Sequence, residues 1–229
     1  MYKRFTIAID GPVASGKGTL AAGLAKKLNA LYVYTGAMYR ALALACLSQY
    51  VDINDEEKVL NVFKTISIEL KEPEAGQKRT FTVLLNKEDV SDKIHEKMID
   101  ETVPIVAAMP SIREKMVQLQ KKLAEGKNVV TEGRDIATDV LPNADLKIYL
   151  TAGLEERARR RYFQLKKRGD ERSFEQIQDE IKKRDKQDIK RGVSPLTVLK
   201  DAMILDTTNL SIEETIEKVM EELSKKGIA

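Results

Sequence analysis

The sequence predicts an α/β fold built on a mostly parallel sheet, and three observations carry that prediction. Short apolar, β-branched runs alternate with stretches of helical periodicity. A Gly-x-x-x-x-Gly-Lys run joins the first strand pattern to the first helix pattern. One pair of β-branched runs around a turn marks an antiparallel insert beside the parallel sheet.

Taken in order, residues 5–10 read as a short buried strand. The glycine-rich loop 11–18 follows, and residues 19–28 carry leucines at helical spacing. Residues 31–35 read as a second strand that breaks at Gly36, and residues 38–47 are again helical. Residues 65–70 and 80–85 are the hairpin runs, with turn chemistry in Glu72-Pro-Glu-Ala-Gly76 between them. Residues 129–131, 146–150 and 202–206 supply three more strands for the parallel sheet. Residues 155–161 read as a helix with acids in its first turn, and 167–172 interrupt it. Residues 174–191 form a second helix, ended by Gly192 and Pro195. Two charged helices around a glycine-containing loop suggest a lid. A solvated helical pair held by ion pairs four residues apart is the other reading.

The chain has 229 residues, 39 of them basic and 36 acidic, for a net charge of +3. The near-cancellation speaks against a stable nucleic-acid partner, which a clear basic excess would announce. One cysteine and one histidine cannot build a zinc site or a disulfide framework. Cys46 sits in an apolar helical run and reads as a buried core thiol. No long apolar segment is present, so the expectation is a cytoplasmic protein with no signal peptide and no membrane span.

Gly11-Pro12-Val13-Ala14-Ser15-Gly16-Lys17-Gly18-Thr19 follows a strand and opens a helix, the context that turns a pattern match into a phosphate-binding loop. Glycines let the backbone wrap phosphates closely, while successive N–H groups and the positive helix end face them. Lys17 adds a point charge for the outer phosphates. Gly18 stands where switch GTPases place the hydroxyl that ligates magnesium, and Thr19 follows it. Gly18 at that position disfavours a GTPase switch.

Phosphoryl transfer to a phosphate acceptor gathers several negative charges, which arginine forks hold well. Four places offer them. Thr35-Gly-Ala-Met-Tyr39-Arg40 lies just past the second strand, where α/β sheets bind ligands. Arg134-Asp135 directly follows an apolar strand. Arg184, Asp188 and Arg191 are spaced to share one helix face. Arg157, Arg160 and Arg161 lie on one side of the preceding helix.

In this order, Gly11-Pro-x-x-Ser-Gly-Lys-Gly-Thr19, Thr35-Gly-Ala-Met-Tyr-Arg40, Glu132-Gly-Arg-Asp135 and Lys183-Arg-Asp-x-x-Asp188-x-x-Arg191 resemble the bacterial cytidylate kinases over nearly the whole chain. The resemblance implies a P-loop core with a five-stranded parallel sheet (1–34, 101–153 and 192–229). It also implies a nucleoside-monophosphate lobe with the hairpin insert (35–100), and a lid with its following helix (154–191). It implies transfer of the terminal phosphate of ATP to CMP or dCMP, with magnesium, by a monomer. By resemblance, residues 11–19 hold ATP, with Thr19 a candidate for the metal directly or through water. Thr35, Tyr39, Arg40 and Arg134 hold the acceptor, its phosphate falling to Arg40 and Arg134. Arg113, Asp135 and Arg191 read the base, and Arg184 and Asp188 the ribose. Lys17, Arg134, Arg157, Arg160 and Arg161 stabilise the transferring group.

Three positions depart from the family pattern. Pro104 stands where a serine commonly faces the base, His95 where an arginine is common, and Glu132 where an aspartate is usual. The first bears on strict cytosine preference. Two alternatives remain at this level: another small P-loop kinase acting on UMP or a non-nucleotide acceptor, and a nucleic-acid-stimulated ATPase using the basic stretch 157–191.

Overall fold

The computed structural model describes residues 4–74, 76, 77 and 79–228; Ala75, in the expected turn at 72–76, and residues 1–3, Lys78 and Ala229 lie outside the described residues. In chain order the elements are β1 (Thr6–Asp10), α1 (Lys17–Lys27), β2 (Leu31–Tyr34), α2 (Thr35–Ser48), α3 (Glu56–Thr65), β3 (Ile68–Lys71), β4 (Thr82–Leu85), β5 (Glu88–Asp89), α4 (Lys97–Val106), α5 (Pro110–Ala124), β6 (Val129–Gly133), β7 (Leu146–Thr151), α6 (Leu154–Lys166), α7 (Phe174–Lys190), β8 (Met203–Asp206) and α8 (Ile212–Lys225). The five-stranded sheet has the order β2-β6-β1-β7-β8, and a second sheet has the order β3-β4-β5. The chain divides into two compact units, residues 4–30 with 127–228, and residues 31–126.

In the first unit β1 lies between β6 and β7, parallel to both, with Ile7 opposite Val130 on one side and Leu146 on the other. Every residue of β6 is buried, as is most of β1. Strands covered on both faces read as near-continuous apolar runs, which is why their sequence shows no alternation. β8 adds parallel to β7. α7 and α8 each start with a capping box. Ser173 Oγ accepts the N–H of Gln176 at 3.3 Å while Gln176 Oε1 accepts the N–H of Ser173 at 2.8 Å, and Ser211 and Glu214 do the same at 3.1 and 2.8 Å. The starts of α7 and α8 are therefore encoded locally.

In the second unit α2 is buried on most sides, and Met38, Leu42 and Cys46 join Val83, Ile94, Ile112 and Met116 in one core. Burial pushes the Cys46 thiol up to about 11, so it packs as a small hydrophobe. The hairpin runs form β3 and β4, with Leu70 opposite Val83.

Three expectations need correction. The second strand stops at Tyr34, before Gly36, but the helix expected from residue 38 already starts at Thr35, directly after β2. A Cβ on Gly36 would sit 2.7 Å from the ring of Tyr34, so the glycine makes room for an aromatic ring in a helix's first turn. Residue 65 ends α3 and opens no strand, and the two-residue β5 makes the insert three-stranded. Arg191 lies beyond α7, with an extended backbone (φ −57°, ψ 134°), so it does not share the helical face of Arg184 and Asp188. Its guanidinium donates instead to the carbonyls of Val193, at 2.8 Å, and Ser194.

Candidate active site

In the first unit, β1 ends at Asp10 and the glycine-rich loop leads into α1. A Cβ on Gly11 would meet the Leu150 carbonyl oxygen at 2.0 Å, so only glycine lets the loop leave β1 so close to β7. Gly16, with φ +94°, turns the chain into α1 as its N-cap, and no side chain caps that helix end. The amides at the α1 N-terminus are thus placed as an anion site.

Lys17 is buried and donates to the Pro12 carbonyl at 2.7 Å and to Ser15 Oγ at 3.4 Å. Burial, and then the nearby positive charge of Arg134, push its ammonium down to about 7, against the pull of Glu132, Asp188 and Asp10. The Asp10 carboxylate is buried as well. It accepts the N–H groups of Ile136, at 2.9 Å, and Ala137, at 2.8 Å, tying the end of β1 to the π-helical turn Ile136–Val140 that follows Arg134-Asp135. Burial pushes it up to about 6 in spite of these bonds.

Arg134, just past β6, donates from Nε to Asp188 Oδ2 at 2.8 Å and from a terminal nitrogen to the Gly133 carbonyl at 3.0 Å. Arg184 Nε lies 3.5 Å from the other Asp188 oxygen. Burial opposes the Asp188 charge, but Arg134, Arg184 and Arg191 outweigh it and hold the carboxyl below its ordinary range. Burial likewise opposes the Arg134 charge, and Asp188, Glu132 and Asp185 keep the guanidinium firmly protonated. Asp135 is buried.

The three α6 arginines separate. Arg157 donates to the carbonyls of Ala152 at 2.9 Å and Val13 at 3.1 Å, and to Asp185 at 2.6 Å. Arg160 reaches the carbonyls of Ser15, at 3.4 Å, and Thr207, at 2.6 Å, and Thr207 Oγ1 at 3.0 Å. Arg161 donates to Gln164 at 2.8 Å.

In the second unit, Arg40 on α2 donates to the Ile94 carbonyl at 2.9 Å and forms an ion pair with Asp100 of α4. Burial works against its charge, while Tyr34 and Asp100 raise its pKa. Arg113 of α5 is buried, donates to the Ala107 carbonyl at 2.9 Å, and lies over the Tyr39 ring with 5.6 Å to the centroid. Thr35 is buried at the start of α2. Pro104 falls inside α4, four residues past Asp100, where its missing N–H removes a helical bond. His95 lies beside Phe81, which meets the Tyr34 ring edge-on.

The family model of cytidylate kinase matches residues 7–225. The chain belongs to the cytidylate kinase family. It is 48% identical to the cytidylate kinase of Caldanaerobacter subterraneus subsp. tengcongensis, over 96% of this chain and 94% of that one. It is 46% identical to the Geobacillus kaustophilus cytidylate kinase over 99% of both chains, and 48% identical to that of Bacillus thuringiensis over 96% of both. A solved structure of an uncharacterised Eubacterium ventriosum protein aligns with a TM-score of 0.52 at 11% identity, covering 96% of this chain and 99% of that one, a likeness of fold alone. As a cytidylate kinase family member the chain is a kinase.

Sequence reasoning passed over Asp10, Asp100, Asp185 and Thr207, which hold the loop or the arginines. Asp185 and Asp188, three apart on α7, were both in a quoted motif, and that spacing was the available signal. Asp10, at a strand's end, and Asp100 carry no comparable mark, because their partners are far away in sequence.

Proposed function

We propose that the chain transfers the terminal phosphate of ATP to CMP or dCMP, giving ADP and CDP or dCDP. The observation that carries this reading is the placement in one unit of Lys17, buried at the start of α1, and Arg134, just past β6. Two cations brought together at an uncapped helix start call for a multiply charged anion. Family membership supports the same acceptor class.

Residues 11–19 bind the triphosphate, and Lys17 holds its outer phosphates. Arg40 and Arg134 take the acceptor phosphate, and Thr35 and Tyr39 also serve the acceptor. Arg113, Asp135 and Arg191 read the base, and Arg184 and Asp188 the ribose. Arg160 and Arg161 serve the transferring group, while Arg157 acts through the loop, as argued below. Residues 35–100 form the acceptor lobe, and 154–191 the lid with its following helix. Closure excludes water and suppresses ATP hydrolysis.

Among the described residues no group of three or more His, Cys, Asp or Glu is placed to hold a metal. Magnesium would arrive with ATP, and the Thr19 hydroxyl is the group of this chain that would hold it, directly or through water. Among the described residues no helix is long and apolar enough to cross a membrane.

A coupled assay with ATP, magnesium and CMP tests the proposal; tight ATP binding without CDP formation would sink it. Comparing CMP, dCMP, UMP and shikimate as acceptors separates it from other small kinases. RNA- or DNA-stimulated hydrolysis with steep salt dependence would favour an ATPase instead. Arg134→Ala is expected to lower turnover with CMP about 100-fold or more while ATP binding changes far less. Equal losses would remove Arg134 from the acceptor side.

A further inference from the structure

The α7 carboxylates are two rungs of one helix face. Asp188 holds Arg134, and Asp185, three residues earlier, faces the glycine-rich loop. Asp185 Oδ1 accepts the N–H of Val13 at 3.2 Å. Its other oxygen accepts Arg157 Nη1 at 2.6 Å, and the same Nη1 donates to the Val13 carbonyl at 3.1 Å. Both backbone polar groups of Val13, in the middle of the phosphate loop, are therefore held by side chains, one from each lid helix. The Asp185 and Arg157 side chains are only 14% and 9% exposed. Arg157 is fixed in turn by the Ala152 carbonyl at 2.9 Å.

We infer that Asp185 is a positioning residue for the ATP site: with Arg157 it clamps Val13 and so sets the shape of the phosphate loop. The N–H of Val13 is then taken out of the amides that can face phosphate. α6 braces the loop at a second point, because Arg160, one helical turn from Arg157, reaches the Ser15 carbonyl. Movement of α6 or α7 is transmitted to the loop through bonds of ordinary length, without any contact between Asp185 and the nucleotide. Arg157 shares this role; its Nη1 is engaged by the loop and Asp185, and its Nε by Ala152.

A buried pair of this kind loses more by removal of one partner than by removal of both, since the survivor is left charged and uncompensated. Binding of ATP, read directly by titration calorimetry without any acceptor, is the test. Asp185→Ala and Arg157→Ala are each expected to weaken ATP binding about 10- to 100-fold, the cost of a loop misplaced by about 1 Å. The double variant should fall no further than the worse single one, within about twofold. Asp185→Asn keeps an acceptor for the Val13 N–H and should recover part of the loss; it also gives the same readout where Asp185→Ala does not fold. CMP affinity should stay within about twofold of the native value in the folded variants. Native ATP affinity in a folded Asp185→Ala or Arg157→Ala protein overturns the inference, as does an equal loss of ATP and CMP binding. Neither result depends on which acceptor is phosphorylated, so absence of CDP formation would overturn the proposed reaction and leave this inference standing.

Discussion

Gly11→Ala places a methyl group 2.0 Å from the carbonyl oxygen of Leu150. Ordinary contact begins at 3.4 Å, so the backbones would have to part by about 1.4 Å along that line. The obstacle is main chain of β7, which cannot swing aside as a flexible side chain would. β1 would have to retreat from the pairing of Asp10 with Tyr149, and the loop would move with it. Forced overpacking of this kind costs about 1–3 kcal/mol, and for a chain of this size each of these lowers Tm by roughly 2–4 °C. The functional loss should be larger: a loop displaced by about 1 Å costs on the order of 100-fold in kcat/KM for ATP. Two further alanines calibrate the effect. At Gly16 the nearest neighbour of an added Cβ is 3.6 Å away, so only the positive φ is penalised, by about 1–2 kcal/mol. At Gly192 nothing lies within 4 Å and the change should be silent. Thermal unfolding and ATP titration on the three variants decide the matter. If Gly11→Ala matches Gly192→Ala in both, within about 1 °C and twofold, the close approach of loop and strand is wrong.

Two more predictions follow from charges. Lys17 sits near 7 before ATP binds, and the triphosphate favours its ammonium form. Binding at pH 8 should therefore take up a proton, and binding at pH 6 much less, as calorimetry in buffers of different ionisation enthalpy would show; equal uptake at both values would contradict the burial argument. Asp100 occupies the Arg40 guanidinium that the acceptor phosphate is proposed to use. Asp100→Asn should lower KM for CMP about 3- to 10-fold with KM for ATP unchanged, and a raised KM would mean that Asp100 orients Arg40.

Sequence and structure divided the work by distance along the chain. Features set within a few residues were legible: the glycine-rich loop between strand and helix, the buried strands, the hairpin, and the start of α7 at a Ser-x-x-Gln capping box. The start of α2 was placed three residues late, at 38, because Gly36 sits in the helix's first turn, where the Tyr34 ring needs the space. Arg191 misled because its spacing is helical while its backbone has already left the helix.

By itself the sequence determined that this is an α/β phosphate-binding protein, and its ordered motifs pointed to the cytidylate kinases. Local backbone preference and side-chain chemistry suffice for that. Only the tertiary structure decided which charges meet. Asp10 ties β1 to a turn 126 residues away, and Asp185 reaches Val13 across 172 residues. Such pairs leave no periodic trace, because a buried carboxylate is placed by the packing of whole elements. The arginines were visible as a set; that Asp188 holds Arg134, Asp185 holds Arg157 and Asp100 holds Arg40 was not.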